Sequence, residues 1–282
     1  MEAAAKERGS RGTGVCGYRG SREARACGYR RSQEMGACER GESQEMGACE
    51  RPGCERQGFR QGGRRSSRQA AQPSTWQDSR RQKFKQASKR AFDAQAATYD
   101  EEAQGSHARL LYPHMIAEVA AAKPRRALDM GCGTGALTEL VAEAVPDCSV
   151  AGVDLSEAML AVAYERLGNR VDLHVADCER LPFADGLFDV VFCNDSFHHY
   201  PDPEKAAFEA WRVLAPGGVF VVGDCWAPAP VRAVMNALMP YGSGGDVRIY
   251  SESELKDIFG SWFASVEWRR VGRTACIARA GK

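Results

Sequence analysis

The sequence predicts an α/β domain: a doubly wound, seven-stranded sheet, mostly parallel, closed by a C-terminal antiparallel hairpin and preceded by a disordered arm. Three observations predict it. Between residues 126 and 224, short apolar runs alternate with helical stretches, the pattern of parallel strands covered on both faces. Two further runs near the C-terminus are separated only by Val271-Gly272-Arg273, too short for a crossover and suited to a hairpin. Residues 1–80, in contrast, have no sustained apolar spacing.

The arm repeats with a period of 11, Cys16, Cys27, Cys38 and Cys49 keeping one register. Gly, Arg, Glu and Gln dominate it, so it buries too little apolar surface to offset the entropy of ordering. Residues 1–90 hold 21 Lys and Arg against 10 Asp and Glu, a net of +11. Of the chain's 38 basic and 37 acidic residues, 17 and 27 remain for residues 91–282, a net of −10. Arg64, Arg65, Arg68, Arg80, Arg81, Lys83 and Lys85 suit non-specific attraction to polyanions. Nothing specifies a partner, and the arm reads as a solvated tail without a specific nucleic-acid ligand.

Order is expected from residue 82, dividing the chain into an arm over 1–81 and a domain over 82–282. Lys83 to Tyr99 and Ser106 to Ala121 have helical spacing, the second through Leu110, Leu111, Met115, Ile116 and Val119. Strands follow at Arg126–Met130, Ser149–Asp154, Asp172–Val175, Phe188–Asn194 and Val219–Asp224. Helices lie between them at Ala136–Ala144, Ser156–Leu167 and Pro203–Leu214, the last broken by Ala215-Pro216-Gly217-Gly218. Ser265–Arg270 and Thr274–Ala278 form the terminal hairpin.

Composition excludes several classes. No run reaches the ~18 apolar residues of a membrane span, and no secretory h-region opens the chain. There is no CxxC pair, so no metal site is expected, and the cysteines read as reduced thiols of a cytoplasmic protein. Oligomeric state is not legible.

The chemistry concentrates in Asp129-Met130-Gly131-Cys132-Gly133-Thr134-Gly135, which follows a strand and opens a helix. Gly131 and Gly133 let a ligand approach the backbone, and the helix N-terminus offers unpaired N–H groups. A carboxylate or a phosphate fits equally, so the loop alone does not choose a cofactor. Asp154, at the end of the second strand, can accept hydrogen bonds from both hydroxyls of a ribose. A nicotinamide dinucleotide is the rival ligand, since Gly131-x-Gly133-x-x-Ala136 also fits its pattern. Against it stand Ala176-Asp177-Cys178, Leu181-Pro182-Phe183 leading into Phe188–Asn194, and Leu214-Ala215-Pro216-Gly217-Gly218.

Together, residues 127–224 resemble the class I S-adenosylmethionine-dependent methyltransferases, in particular the branch that includes the ubiquinone/menaquinone-biosynthesis methyltransferases. The resemblance implies a Rossmann-like fold, S-adenosyl-L-methionine as cofactor and a small-molecule acceptor. It implies that Gly131, Cys132 and Gly133 border the methionine end, with Asp129 supporting the loop. Asp154 would hold the ribose, with Leu155 and Met159 packing on ribose and adenine. Asp177 would take the adenine amine, beside the backbone of Cys178, and Asn194 would lie near the sulfonium. Tyr99 resembles the segment that closes over the cofactor.

His198 and His199 are the candidates for a general base, or else Phe197-His198-His199-Tyr200-Pro201 merely turns the chain. Acceptor choice is expected within residues 225–250, where Trp226, Val231, Val234, Met235, Leu238, Met239 and Tyr241 either line an apolar pocket or pack a helix on the sheet. Asn194-Asp195-Ser196-Phe197 departs from the Asn/Asp-Pro-Pro-aromatic signature of base methylation. The competing functions are a dinucleotide-dependent oxidoreductase and a non-catalytic cofactor-binding scaffold.

Overall fold

The computed structural model of the chain describes residues 75–101, 104–242 and 244–282. Residues 1–74 of the disordered arm expected over residues 1–80 lie outside them.

Phe188-Asp189-Val190-Val191-Phe192-Cys193-Asn194 is buried on both faces, as a central parallel strand must be. Val190 and Phe192 meet one layer, Val191 and Cys193 the other. This strand is β4. With it run β1 (Arg126–Met130), β2 (Ser149–Asp154), β3 (Asp172–Val175), β5 (Leu214–Cys225), β6 (Ser265–Val271) and β7 (Ala275–Gly281). The order is β3-β2-β1-β4-β5-β7-β6, parallel from β3 to β5 and antiparallel through β7 and β6. The doubly wound, seven-stranded sheet with its terminal hairpin is therefore as the sequence predicts. Glu267, Arg269 and Arg270 place charge on the edge strand β6, which discourages pairing with another sheet.

Seven helices flank the sheet among the described residues: α1 (Thr75–Gln95), α2 (Gln104–Ala121), α3 (Ala136–Ala144), α4 (Glu157–Leu167), α5 (Pro203–Val213), α6 (Ala229–Leu238) and α7 (Glu252–Gly260). Leu111, Met115 and Val119 of α2 pack on one face of β4, β5 and β7. Ala206, Ala207, Ala210 and Val213 of α5, with Leu255 and Phe259 of α7, cover the other. The polar starts of these helices are capped: Ser156 accepts from Met159, Asp202 from Lys205, and Ser251 and Glu254 form a reciprocal capping box before α7.

Three expectations need correction. Helix α1 begins at Thr75, ahead of the boundary at residue 82, because charge rather than apolar spacing seats it. Arg81 pairs with Asp202 at 3.0 Å, and Lys85 sits between Asp177 and Glu179. Helix α1 also stops at Gln95, and residues 96–100 form turns. Finally, Leu214 already pairs with Phe188, so β5 starts before Val219, with a register irregularity where the Pro216-Gly217-Gly218 turn is absorbed.

Candidate active site

Strands β1 and β4 lie side by side although β2 and β3 intervene in the chain, so strand order reverses between them. In such sheets the crevice at the carboxyl ends of the strands is the natural ligand site. A cavity opens there, lined by Asp129, Gly131, Cys132 and Gly133 after β1, Asp154, Leu155 and Met159 after β2, Asp177 and Cys178 after β3, and Asn194 after β4. Tyr99 and His199 also line it. One cavity thus gathers every residue the sequence nominated for the cofactor or as a base except His198.

The glycine loop is folded over β2: Gly131 and Cys132 N–H both donate to Val153 O, at 2.8 and 2.9 Å. Gly131 holds φ +78°, and a Cβ there would lie 2.2 Å from Ser196 Oγ. Gly133 N–H donates to Asp154 Oδ2 at 2.9 Å, and Ser156 N–H to Oδ1 at 2.8 Å. Each Asp154 oxygen keeps a further lone pair for a ligand. Burial pushes the Asp154 carboxyl up, against those backbone hydrogen bonds. Asp129 is pushed up to about 7 by burial, opposed by the 2.6 Å hydrogen bond from Thr138 Oγ1.

The segment before α2 is clamped onto this loop. Thr134 Oγ1 donates to Asp100 Oδ1 at 2.9 Å and Arg166 Nη2 to Oδ2 at 2.5 Å. That clamp sets Tyr99 in the cavity, edge-on to Phe92 at 6.0 Å, and burial raises its hydroxyl to about 12. The phenol is a neutral donor at physiological pH. At the far wall, Asn194 Nδ2 donates to Ala108 O, whereas its buried Oδ1 has no partner. Neighbouring Asp195 holds φ +52° and accepts from His107 Nδ1 at 2.8 Å.

The two histidines part company. They sit in a short 3₁₀ turn, Phe197–His199, with ring centroids 4.1 Å apart but different partners. His198 turns away from the cavity, its Nδ1 2.6 Å from Asp224 Oδ1. Burial pulls its imidazole down, but the Asp224 charge outweighs that and holds it well above the usual histidine range. His199 faces the cavity with its ring edge-on to Phe92, and burial lowers it to about 4.

Sequence reasoning missed much of the wall. Lys85 Nζ donates to Asp177 Oδ2 at 2.6 Å and to Glu179 Oε2 at 2.5 Å, so a helix from the arm's end occupies the carboxylate nominated for adenine. Ser88, Lys89, Phe92, Tyr112, Glu179 and Ser196 also line the cavity. The basic run Lys83-x-Lys85 was visible, but as a solvated charge cluster. The expected acceptor segment, in turn, is elsewhere. Val231, Val234, Met235 and Leu238 of α6 are 41–63% exposed and Tyr241 is 88% exposed, and none lines the cavity or packs a buried helix face.

Comparison with known proteins places this arrangement. The sequence pattern described as a methyltransferase domain matches residues 128–222, the span holding the glycine loop, Asp154, Asp177 and Asn194. A ubiquinone/menaquinone biosynthesis C-methyltransferase from Desulfotalea psychrophila is 30% identical over 165 residues, 51% of this chain and 67% of that protein. The chain belongs to the S-adenosylmethionine-dependent methyltransferase family. A demethylmenaquinone methyltransferase from Thermus thermophilus is 44% identical over 113 residues, covering 39% of this chain and 51% of that one. The chain spans about half the length of the first curated relatives it matches. An S-adenosylmethionine-dependent methyltransferase structure from Thermotoga maritima shares the fold, with a TM-score of 0.54 at 21% identity, over 69% of this methyltransferase chain and 99% of that one. The oxidoreductase and idle-scaffold readings find no counterpart among these relatives. No helix among the described residues is long and apolar enough to cross a membrane.

Proposed function

We propose that this chain binds S-adenosyl-L-methionine in the switch-point cavity and methylates a small organic acceptor, as a cytoplasmic enzyme. The observation that carries the proposal is the convergence of Gly131, Asp154, Asp177 and Asn194, from four different strand ends, on one cavity. The cavity fits the cofactor's chemistry. Asp154 keeps acceptor capacity for two hydroxyls, and Asn194 Oδ1 is a buried oxygen lacking a donor. When bound, S-adenosylmethionine supplies a sulfonium methyl group that the acceptor atom takes in line while the carbon–sulfur electron pair returns to sulfur.

The chain's residues hold and enclose. Gly131, Cys132 and Gly133, backed by Asp129, would shape the methionine end, and Asp154 would orient the ribose. Leu155, Met159 and Cys178 would pack the purine, whose amine would share Asp177 with Lys85. Tyr99 and Phe92, edge-on to each other in the cavity wall, would shield the bound cofactor from water and help keep acceptor and methyl aligned. Displacement at a sulfonium needs a base only when the acceptor must lose a proton. His199, held at about 4, is too weak for that at neutral pH, and the Asp224-bound His198 stands outside the cavity.

Relatives act on quinone precursors and on a demethylated rifamycin, which supports an organic acceptor of modest size for this chain. Thermal unfolding tests the cofactor assignment. S-adenosylhomocysteine at about 100 times its Kd should stabilise the chain by about 2.7 kcal/mol, a rise of several degrees in Tm. NAD should leave Tm in place, and the reverse pattern would overturn the proposal.

A further inference from the structure

Three side chains from two separate segments converge beside the cavity. His198 Nε2 stands 3.5 Å, and His199 Nδ1 3.4 Å, from the same atom, Asp246 Oδ1. The three atoms lie within 4.8 Å of one another. A good N–H···O hydrogen bond would draw such atoms to about 2.7–3.2 Å. The observed separations instead match the edge of a tetrahedron, because donors about 2.0–2.1 Å from a zinc ion stand roughly 3.4 Å apart.

The surroundings prepare these atoms as ligands. Facing a carboxylate, His198 Nδ1 must carry the proton it donates to Asp224 Oδ1 at 2.6 Å, so a metal ion on the Asp246 side would take Nε2 by displacing the proton there. Asp224 is itself fixed by the backbone N–H groups of His198 and Cys225, at 2.9 and 2.7 Å. A carboxylate behind a histidine in this way orients a metal ligand and sets its tautomer. His199 Nδ1 is buried without a hydrogen-bond partner, a costly state for a nitrogen that a cation would satisfy. The Asp246 loop is stapled to the histidine turn, since Val247 and Arg248 N–H both donate to His198 O, at 2.9 and 3.2 Å. Gly245, at φ +75°, lets the loop pass α1 where a Cβ would fall 2.4 Å from Ser88 N.

We propose that His198, His199 and Asp246 form a binding site for a divalent transition-metal ion of the zinc class. Two imidazoles and one carboxylate suit Zn²⁺, Co²⁺ or Ni²⁺ and are poor hosts for the oxygen-seeking Mg²⁺ and Ca²⁺. Three protein donors leave a tetrahedral ion one position for water or for an acceptor oxygen. That last use rests on the methyl-transfer reading; the binding does not.

The test titrates metal-stripped, reduced full-length chain with Zn²⁺ against a chromophoric chelator, beside Asp246→Asn, His199→Ala and Asp224→Asn. Wild type should take up one more equivalent than Asp246→Asn or His199→Ala, which separates this site from thiols of the arm. Asp224→Asn should keep the equivalent but bind it about 10- to 100-fold more weakly. Equal uptake by wild type and by folded Asp246→Asn and His199→Ala would overturn the proposal. Should the variants fail to fold, X-ray absorption on wild type loaded with one Zn²⁺ decides. Scattering from two imidazoles supports the site, and a sulfur-only shell overturns it.

Discussion

Lys85 Nζ lies 2.6 Å from Asp177 Oδ2, so the first described helix is fastened to the carboxylate that ends the third strand's turn. The same ammonium holds Glu179, whose side chain is only 4% exposed. Burial lowers the Lys85 ammonium, but the hydrogen bonds to both carboxylates outweigh it and keep it above the ordinary lysine value.

Replacing Lys85 with Met should therefore leave two neighbouring carboxylates without their cation. A loss of about 1–3 kcal/mol is expected in urea unfolding at pH 7. The sign with pH follows from Glu179, which burial already raises despite Lys85 and which would rise further without it. The deficit of the variant should shrink as pH falls and Glu179 takes up a proton. A deficit that grows on acidification would contradict this role.

Asp129 gives a second pH signature. Its carboxyl stands near 7 in the folded chain against 3.8 for a free one. A group raised by folding favours the fold fully below its unfolded value, and the benefit is lost as pH climbs through the folded value. Wild type should thus lose stability relative to Asp129→Asn between pH 4 and pH 8, by on the order of 4 kcal/mol at most. Parallel pH–stability curves would show that the carboxylate is better solvated than its 2% exposure implies.

Gly131→Ala should damage both fold and site. Its φ of +78° costs an L-residue about 1–2 kcal/mol, and the new Cβ would collide with Ser196 Oγ. Calorimetric unfolding should show at least that loss, together with weakened binding of S-adenosylhomocysteine. An alanine variant as stable as wild type would mean that the loop adopts another conformation.

The centre of the sheet was legible because its strands are largely apolar runs, each closed by a polar or glycine turn. Ala127 to Met130 and Phe188 to Cys193 could be little else. The glycine loop and the aspartates after β2 and β3 were legible for the same reason: strand ends fix where their side chains emerge. The start of helix α1 at Thr75 was not, since Arg81 and Lys85 hold its first turns by long-range ion pairs that leave no periodic trace. Nor could neighbours in sequence reveal that His198 and His199 face different surroundings, because the 3₁₀ turn decides it. The apolar spacing of α6 suggested burial, yet Val234 and Leu238 are 60% and 63% exposed. Asp246 joined the histidines only through the loop's hydrogen bonds to His198 O.

The central claim is that the switch-point cavity holds S-adenosylmethionine through Asp154. Isothermal titration of the full chain with S-adenosylhomocysteine, with NAD as control and Asp154→Asn beside it, tests this most directly. The account predicts a Kd near or below roughly 10 μM, about −7 kcal/mol, at least tenfold weaker binding in the variant, and no heat with NAD. A folded wild-type chain that binds S-adenosylhomocysteine no better than Asp154→Asn, or that binds NAD instead, would contradict it.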